Sequence, residues 1–108
     1  MKRLLIFMVV LAIPFAVYSR GNADSGKSKA AQVCAACHGV DGNKPSAPDQ
    51  PILAGQHYDY LVRALTDYKI GRRNNPIMKG FAAQLSKQDI EDLAAWFASQ
   101  KSSLHDQR

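Results

Sequence analysis

The sequence contains few residues of the kinds that bind metals or form cross-links, with two cysteines and three histidines in 108 residues. A structural zinc site needs four ligands, and no second cysteine pair stands beside His57 or His105. A disulfide between Cys34 and Cys37 would close too short a loop to stabilise a fold much. A thioredoxin-like pair needs a βαβ context, and no alternating or β-branched run flanks the cysteines. These three interpretations of the cysteine pair are therefore disfavoured.

The sequence also lacks an apolar run of the roughly 20 residues that a membrane span usually needs. Its longest such run covers residues 4–17, after Lys2 and Arg3 and before small and polar residues. This order is typical of a secretory signal and predicts export to the periplasm. The alternative is an uncleaved segment that tethers the domain to a membrane.

The small and polar residues at the end of the predicted signal indicate where it is cleaved from the domain. We expect cleavage after Ala23, with Gly21 two positions before it, and cleavage after Ser19 is the alternative. The first choice gives a signal peptide of residues 1–23 and one small domain of residues 24–108. A domain of that size builds only a thin core alone, which a large apolar cofactor would enlarge.

The predicted mature domain also lacks a strong excess of positive or negative charge. The formal net charge of the whole chain is +5, but Lys2, Arg3 and Arg20 precede Ala23 while all nine acidic residues follow it. Eleven basic and nine acidic residues then remain, which is a formal charge of +2. No basic patch indicates nucleic-acid binding.

The chain does contain the segment Cys34-Ala35-Ala36-Cys37-His38, which has the Cys-x-x-Cys-His spacing of c-type haem attachment. Two cysteines on one helical turn can form thioethers with the two vinyl groups of one haem, and His38 then lies against the iron. Because c-type haem is generally attached outside the cytoplasm, the motif agrees with the predicted export. We predict one haem c, bound through Cys34 and Cys37, with His38 as the proximal iron ligand.

Only one methionine is available for the other side of the iron. The methionines are Met1, Met8 and Met78, and the first two lie in the predicted signal. A methionine sulfur opposite histidine suits an iron that exchanges single electrons. We place Met78 in a loop after Pro76, which argues against a role in core packing alone. Met78 is therefore the predicted second axial ligand; an open iron position would instead indicate an enzyme or a gas sensor.

Three helices are predicted around these residues, over residues 25–37, 57–70 and 86–100. The first is rich in alanine and is capped by Asp24 or Ser25. The second carries an apolar stripe of period 3.6 and is followed by Gly71, a residue favoured after a helix. The third begins with a capping box made by Ser86 and Asp89.

The first and last helices carry side chains that suit a close crossing. Gly26 and Ala30 form a small face on the first helix, and Trp96 on the last helix is the side chain expected to meet it. Leu93 and Phe97 would then point toward the haem. His57 is expected to be a surface residue.

Residues 39–55 contain three glycines and three prolines and are predicted to form a loop. A metal-bound histidine usually gives its other ring N–H to an acceptor such as a backbone carbonyl. A carbonyl near Pro51 is the acceptor that we expect for His38. The alternative is that Pro51 is a plain turn residue.

From residue 26 to residue 100 the chain resembles the class I cytochromes c, and among them the small bacterial cytochromes of the c4 and c5 type. The matching residues are 34–43, 53–56, 60–61, 78, 85–86 and 93–97. The resemblance implies an all-α fold wrapped around one haem, with the first and last helices crossing near Gly26 and Trp96. It implies His38 and Met78 as axial ligands and Pro51 near the proximal histidine.

Further haem-binding residues are expected in addition to these ligands. Leu53 is one of them, and Gln56, Arg72 and Arg73 are candidate partners of the haem propionates. Cytochrome c4 itself resembles two such domains with two haems, whereas this chain has one Cys-x-x-Cys-His motif.

The resemblance implies a periplasmic electron carrier, not an enzyme, that is a monomer and meets redox proteins in transient contacts. The alternative is a haem-binding subunit of a larger respiratory enzyme complex. Two ionised propionates would bring the net charge near zero, so we expect weak salt dependence of association.

Overall fold

The structure of the chain, a computed structural model, describes residues 2–12 and 21–104. Within these residues it contains five helices and no strand. They are α1 (Ala23–Val33), α2 (Ala35–His38), α3 (Tyr58–Ile70), α4 (Pro76–Ala83) and α5 (Lys87–Ala98). The all-α prediction is therefore confirmed.

The N-terminal residues 2–12 form no helix, and their side chains are exposed. No helix in the described part of the chain has the length and apolar character that a membrane span requires. Residues 1 and 13–20 of the predicted signal, which include Ser19 and Arg20, lie outside the described residues. The same is true of His105.

Helix α1 begins two residues before the predicted start, and its cap is Asn22. The Asn22 side chain accepts a hydrogen bond from the backbone N–H of Ser25 at 3.0 Å, as favoured N-cap residues do. The predicted helix over residues 25–37 is in fact two, because the backbone departs from helical geometry at Cys34 and resumes as α2. Gly39, with φ of 86°, ends α2.

Helices α1 and α5 cross in backbone contact, as predicted. A Cβ atom on Gly26 would lie 1.9 Å from the carbonyl oxygen of Asp92 and 2.9 Å from Cβ of Trp96. Ala30, one turn further along α1, is fully buried. The indole of Trp96 reaches beyond the crossing, and its Nε1–H donates to the carbonyl of Val40 at 3.0 Å. This bond connects the last helix to the loop after the cysteine motif.

The ends of α3 and α5 follow the predicted capping residues. Gly71 adopts the left-handed conformation, with φ of 85°, immediately after α3. Ser86 and Asp89 form a complete capping box, in which each side chain accepts from the other residue's backbone N–H at 3.0 Å. These hydrogen bonds, led by the one from the Ser86 backbone, lower the pKa of the Asp89 carboxyl group.

The prediction that Met78 lies in a loop is wrong, because Met78 belongs to the first turn of the short helix α4. Asn75 caps this helix, and its side-chain oxygen accepts from the backbone N–H groups of Ile77 and Met78 at 3.1 and 3.2 Å. Pro76, which suggested a break, occupies the first turn, where its missing N–H costs nothing and its φ suits a helix.

The buried core lies where α1, α3 and α5 meet. It consists of Ala30, Leu61, Leu85, Ile90, Leu93, Ala94 and Phe97. Several of these side chains also line a large cavity beside the core. The packed core of this small domain is therefore only one part of its interior.

Candidate cofactor site

The cavity has a volume of about 490 Å³ and is enclosed mainly by apolar side chains from every helix and from the loop of residues 39–57. Its apolar lining includes Val33, Leu53, Leu61, Leu65, Phe81, Leu93 and Phe97. Cofactor sites are typically concave, mostly apolar and of roughly 300–1,000 Å³. The cavity therefore has the size and surface of a site for a large apolar group.

Six of the predicted site residues meet in this cavity. Its lining includes Cys34, Cys37, His38, Pro51, Leu53 and Met78. Leu93 and Phe97 of α5 line it as well, as predicted from the helical pattern. His57 is an exposed residue at the start of α3 and does not line the cavity. Residues separated by more than forty positions in the chain therefore share one site.

The imidazole of His38 is held in one orientation by the loop. His38 is only 6% exposed, and its Nδ1 lies 2.9 Å from the carbonyl oxygen of Pro51. Because a carbonyl oxygen can only accept, Nδ1 carries the hydrogen and Nε2 keeps the lone pair that binds a metal. The expected acceptor for His38 is thus the one observed.

The loop that supplies this carbonyl is fixed against α5 at Gly42. The backbone N–H groups of Leu53 and Ala54 both donate to the Gly42 carbonyl, at 2.9 and 3.3 Å. Gly42 has φ of 81°, and a Cβ atom there would lie 2.8 Å from Cδ1 of Phe97. A side chain at position 42 would therefore force the loop and α5 apart.

Cys34 and Cys37 are half-buried and are not joined to each other. Burial, and then the neighbouring Cys37, raise the pKa of the Cys34 thiol to about 11. Cys34 is therefore a neutral thiol at pH 7 before haem is attached, whereas metal binding and nucleophilic attack use the thiolate. Across residues 2–12 and 21–104, no three His, Cys, Asp or Glu side chains form a candidate metal-ion group.

Met78 is half-buried on the face of α4 that lines the cavity. The same face carries Ile77, Phe81 and Ala82, so the thioether lies among apolar side chains. The cap by Asn75 holds the backbone of Met78 at the start of the helix. The sequence signal for α4 was the pair Asn75-Pro76, a favoured N-cap followed by a favoured first residue.

Tyr60, Tyr68 and Arg73 form a cluster of polar side chains in the lining, and Gln56 lines the cavity as well. The guanidinium of Arg73 stacks over the Tyr68 ring, 4.8 Å from its centre, and donates to the Tyr60 hydroxyl at 3.5 Å. These contacts, first the bond to Tyr60, raise the pKa of Arg73. Tyr68 was predicted only as part of an apolar stripe; its position two turns after Tyr60 on α3 is the signal that groups them.

The donor set and the walls fit one covalently attached haem. The two cysteines border the same cavity as an imidazole with a free Nε2 and a thioether, and the remaining lining is largely apolar. The profile of the family described as cytochrome c matches residues 23–101. The chain belongs to the cytochrome c family.

Known relatives agree with this assignment. Cytochrome c4 of Pseudomonas aeruginosa is 46% identical over 103 residues, which cover 95% of this chain and 50% of that protein. Cytochrome c-554(548) of Halomonas halodenitrificans is 40% identical over 84 residues, covering 75% of this chain and 99% of that protein. The crystal structure of reduced recombinant cytochrome c4 from Pseudomonas stutzeri superposes with a TM-score of 0.70 at 48% identity.

That structural match covers 77% of this chain and 47% of the cytochrome c4 chain. The chain thus spans about half the length of the cytochrome c4 relatives that it matches. The class I cytochrome c fold is confirmed, and so is the predicted cofactor, haem c attached through Cys34 and Cys37.

Proposed function

We propose that the protein is an electron carrier of the periplasm in which His38 and Met78 are the axial ligands of one haem c. The observation that carries the proposal is the shared cavity, because it contains the attachment cysteines, a histidine with a free Nε2 and a thioether. When bound, the haem iron supplies a one-electron couple. No residue of the site is assigned to bond making or breaking in a substrate.

The protein's own residues have three tasks in this proposal. The Pro51 carbonyl orients His38 and raises the basicity of its Nε2. Met78 supplies a soft sulfur, which gives a higher reduction potential than a second histidine would. The apolar walls, such as Leu53 and Phe97, keep water away from the iron and so contribute to the potential.

We assign Gln56 and Arg73 to the haem propionates. Both line the cavity, and a guanidinium matches a carboxylate in geometry and charge. Arg72, the third candidate from the sequence, is exposed in the turn after α3 and does not line the cavity. The structure therefore supports only two of the three propionate partners predicted from sequence.

The two alternative functions would require different structural features. An enzyme or gas sensor would need an iron position that Met78 leaves open. A subunit of a larger respiratory complex would need an extensive apolar interface. In the described helical part of the chain, the large exposed apolar side chains are spread over several elements: Tyr60 and Ile70 on α3, Ile77 and Phe81 on α4, and Val40 and Leu104 outside the helices. Such a distribution favours short-lived contacts.

The test is the visible spectrum of the haem-loaded protein in both oxidation states, with Met78→Ala beside it. We expect the oxidised wild type to show a sulfur-to-iron charge-transfer band that Met78→Ala lacks. Axial ligands set haem potentials over about 0.8 V, so the potential of Met78→Ala should fall by an amount of the order of 0.1 V. Ferrous Met78→Ala should also bind carbon monoxide far more readily.

The matched control is Ile77→Ala, which removes a neighbouring side chain of the cavity lining but no sulfur. It should keep the band and resist carbon monoxide. If the wild type lacks the band, or binds carbon monoxide as readily as Met78→Ala, the axial assignment is wrong. An enzyme or sensor then becomes the better hypothesis.

A further inference from the structure

The carbonyl group that orients His38 belongs to a residue that cannot be anchored through its own backbone N–H, because proline has none. After Pro51, two backbone hydrogen bonds to the Gly42 carbonyl fix the chain. Before Pro51 stands Gln50, whose half-buried side chain also lines the cavity. The contacts of Gln50 therefore determine how firmly the Pro51 carbonyl is held from that side.

The side-chain oxygen of Gln50 accepts three hydrogen bonds from the residues just before it. The donors are the backbone N–H of Ser46 at 2.9 Å, the Ser46 hydroxyl at 2.8 Å and the backbone N–H of Ala47 at 3.1 Å. Because backbone N–H groups only donate, the oxygen of the amide and not its nitrogen must face them. An amide oxygen has two lone pairs, so three donors saturate it.

The backbone of Gln50 is bound to the same short turn. Its N–H donates to the Ala47 carbonyl at 3.1 Å, which is the first-to-fourth hydrogen bond of a β-turn. Pro48 occupies the second position of this turn, where proline is favoured. Gln50 also precedes a proline and is thereby restricted to extended conformations. The side chain and the backbone of Gln50 are thus both fixed.

The turn is connected in its turn to helix α2, which carries the histidine. The N–H of Ser46 donates to the Cys37 carbonyl at 2.9 Å as well as to Gln50. A closed ring of contacts results. It runs from the Cys37 carbonyl through Ser46 and the Gln50 side chain to Pro51, and from the Pro51 carbonyl back to Nδ1 of His38 at 2.9 Å. The Gln50 side chain therefore joins α2 to the acceptor of its own histidine.

We propose that Gln50 is a positioning residue for the proximal ligand, because its amide oxygen holds the Pro51 carbonyl at Nδ1 of His38. A strong hydrogen bond from Nδ1–H makes Nε2 a better electron donor to a metal. A better donor stabilises the ferric state, so Gln50 keeps the reduction potential lower than it would otherwise be. This inference rests on the proposed function, because it takes His38 as an iron ligand.

A purely structural role in the loop is the competing explanation for Gln50. Its hydrogen bonds with Ser46 are exposed, so water can replace them and their loss should change the stability of the domain little. His38, in contrast, is only 6% exposed. Its Nδ1–H can exchange with water only when the Pro51 carbonyl moves away, which is a local opening. The exchange rate of this proton therefore measures positioning separately from global stability.

The test follows the exchange of the His38 Nδ1–H with solvent by NMR in the haem-loaded ferrous protein, and measures the reduction potential beside it. Gln50→Leu replaces the side chain by one of similar size that has no acceptor. Exchange should become about tenfold faster, the factor expected for the loss of a hydrogen bond. The reduction potential should rise. The charge-transfer band of the oxidised protein should remain, because Met78 is unchanged.

A swap of two neighbouring side chains restores the acceptor without changing the net charge. In Asp49→Asn/Gln50→Glu an oxygen still faces the three donors, and a carboxylate accepts at least as well as an amide. This variant should exchange within about twofold of the wild-type rate. Gln32→Leu makes the same replacement at an exposed position of α1 that does not line the cavity. It should leave the exchange rate and the potential unchanged.

The wild-type exchange rate in Gln50→Leu would overturn the proposal, and so would a swap variant that exchanges as fast as Gln50→Leu. If Gln50→Leu does not fold with haem, Ser46→Ala, which removes only the hydroxyl donor, takes its place. Exchange should then be about two- to threefold faster, and an unchanged rate would again overturn the proposal. A wild type without the charge-transfer band would instead contradict the Met78 ligation in the proposed function, while the exchange rates still decide the role of Gln50.

Discussion

Two helical glycines of this domain differ in how much space a side chain would have at their positions. Gly26 lets α1 touch the backbone of α5, because a Cβ atom there would overlap the carbonyl of Asp92. Gly80 has open space where a side chain would be. The same residue type is thus required by packing at one position and unfavourable for stability at the other.

The first stability prediction compares alanine at these two positions. Gly26→Ala should lower the free energy of unfolding by about 1–3 kcal/mol or more, because α1 and α5 must separate. Gly80→Ala should raise it by about 0.5–1 kcal/mol, because the helix gains a better helix former without a clash. Urea unfolding of both variants measures these changes. A Gly26→Ala variant as stable as the wild type would show that the crossing is looser than described.

At the level of single residues, the sequence predicted the attachment motif and the hydrogen-bond acceptor of His38. The spacing of Cys34, Cys37 and His38 is a local signal, and Pro51 could be inferred because a metal-bound histidine needs an acceptor. Helical spacing puts Tyr60 and Tyr68 on one side of α3, but their contact with Arg73 could not be inferred, because it forms only after the turn that follows α3 has folded.

At the level of elements, the first residue of α1 depends on which of several neighbouring residues caps the helix. Asn22, Asp24 and Ser25 can all cap a helix, and the sequence alone does not rank them. The structure selects Asn22, whose backbone N–H also donates to the Asp92 carboxylate at 2.7 Å. Helix α4 was missed because eight residues are too few for a periodic pattern and Pro76 suggested a break.

This choice of cap bears on the predicted site of signal cleavage. Cleavage after Ala23 would remove the cap and the bond from Asn22 to Asp92. It would also remove Gly21, whose N–H donates to the Tyr58 hydroxyl at 3.3 Å. We therefore propose that the alternative site, after Ser19, is the one used, since it leaves Asn22 in the mature domain.

The prediction is that intact-mass analysis of the exported protein gives a chain beginning at Arg20. A chain that begins at Asp24 should be less stable than one that begins at Gly21, by about 1–2 kcal/mol, because it lacks the cap. Urea unfolding of the two haem-loaded chains measures this difference. A mature chain that begins at Asp24 and is equally stable would contradict the proposal.

At the level of the whole molecule, the domain has a cavity of about 490 Å³ next to a small core. Leu61, Leu93 and Phe97 belong to that core and line the cavity at the same time. Three of the helices followed from periodicity and capping residues, and the all-α class followed from the family resemblance. Periodicity shows which face of a helix is buried, but not whether side chains or a cofactor pack against that face. That haem fills part of the interior was predicted only from the Cys-x-x-Cys-His motif and the family resemblance.

The final prediction concerns the chain without haem. The variant Cys34→Ala/Cys37→Ala, which cannot attach haem, should lose cooperative unfolding and its near-UV circular dichroism, because the cavity walls lose their largest packing partner. Wild-type protein with attached haem is the control. A haem-free variant with a sharp thermal transition and a near-UV spectrum like that of the wild type would show that the helices pack stably without the cofactor.

The hydrogen bond between Asn22 and Asp92 joins residues 70 positions apart, so it can form only after most of the domain has been synthesised. A ribosome completes the cysteine motif about 60 residues before it completes α5, which at about 5–20 residues per second is an interval of roughly 3–12 s. For most of that interval Trp96 and Phe97 have not been synthesised and do not pack against the loop after the motif. The cysteines therefore precede the helix that encloses them, and the fold around them cannot close before the C-terminal part of the domain has been made.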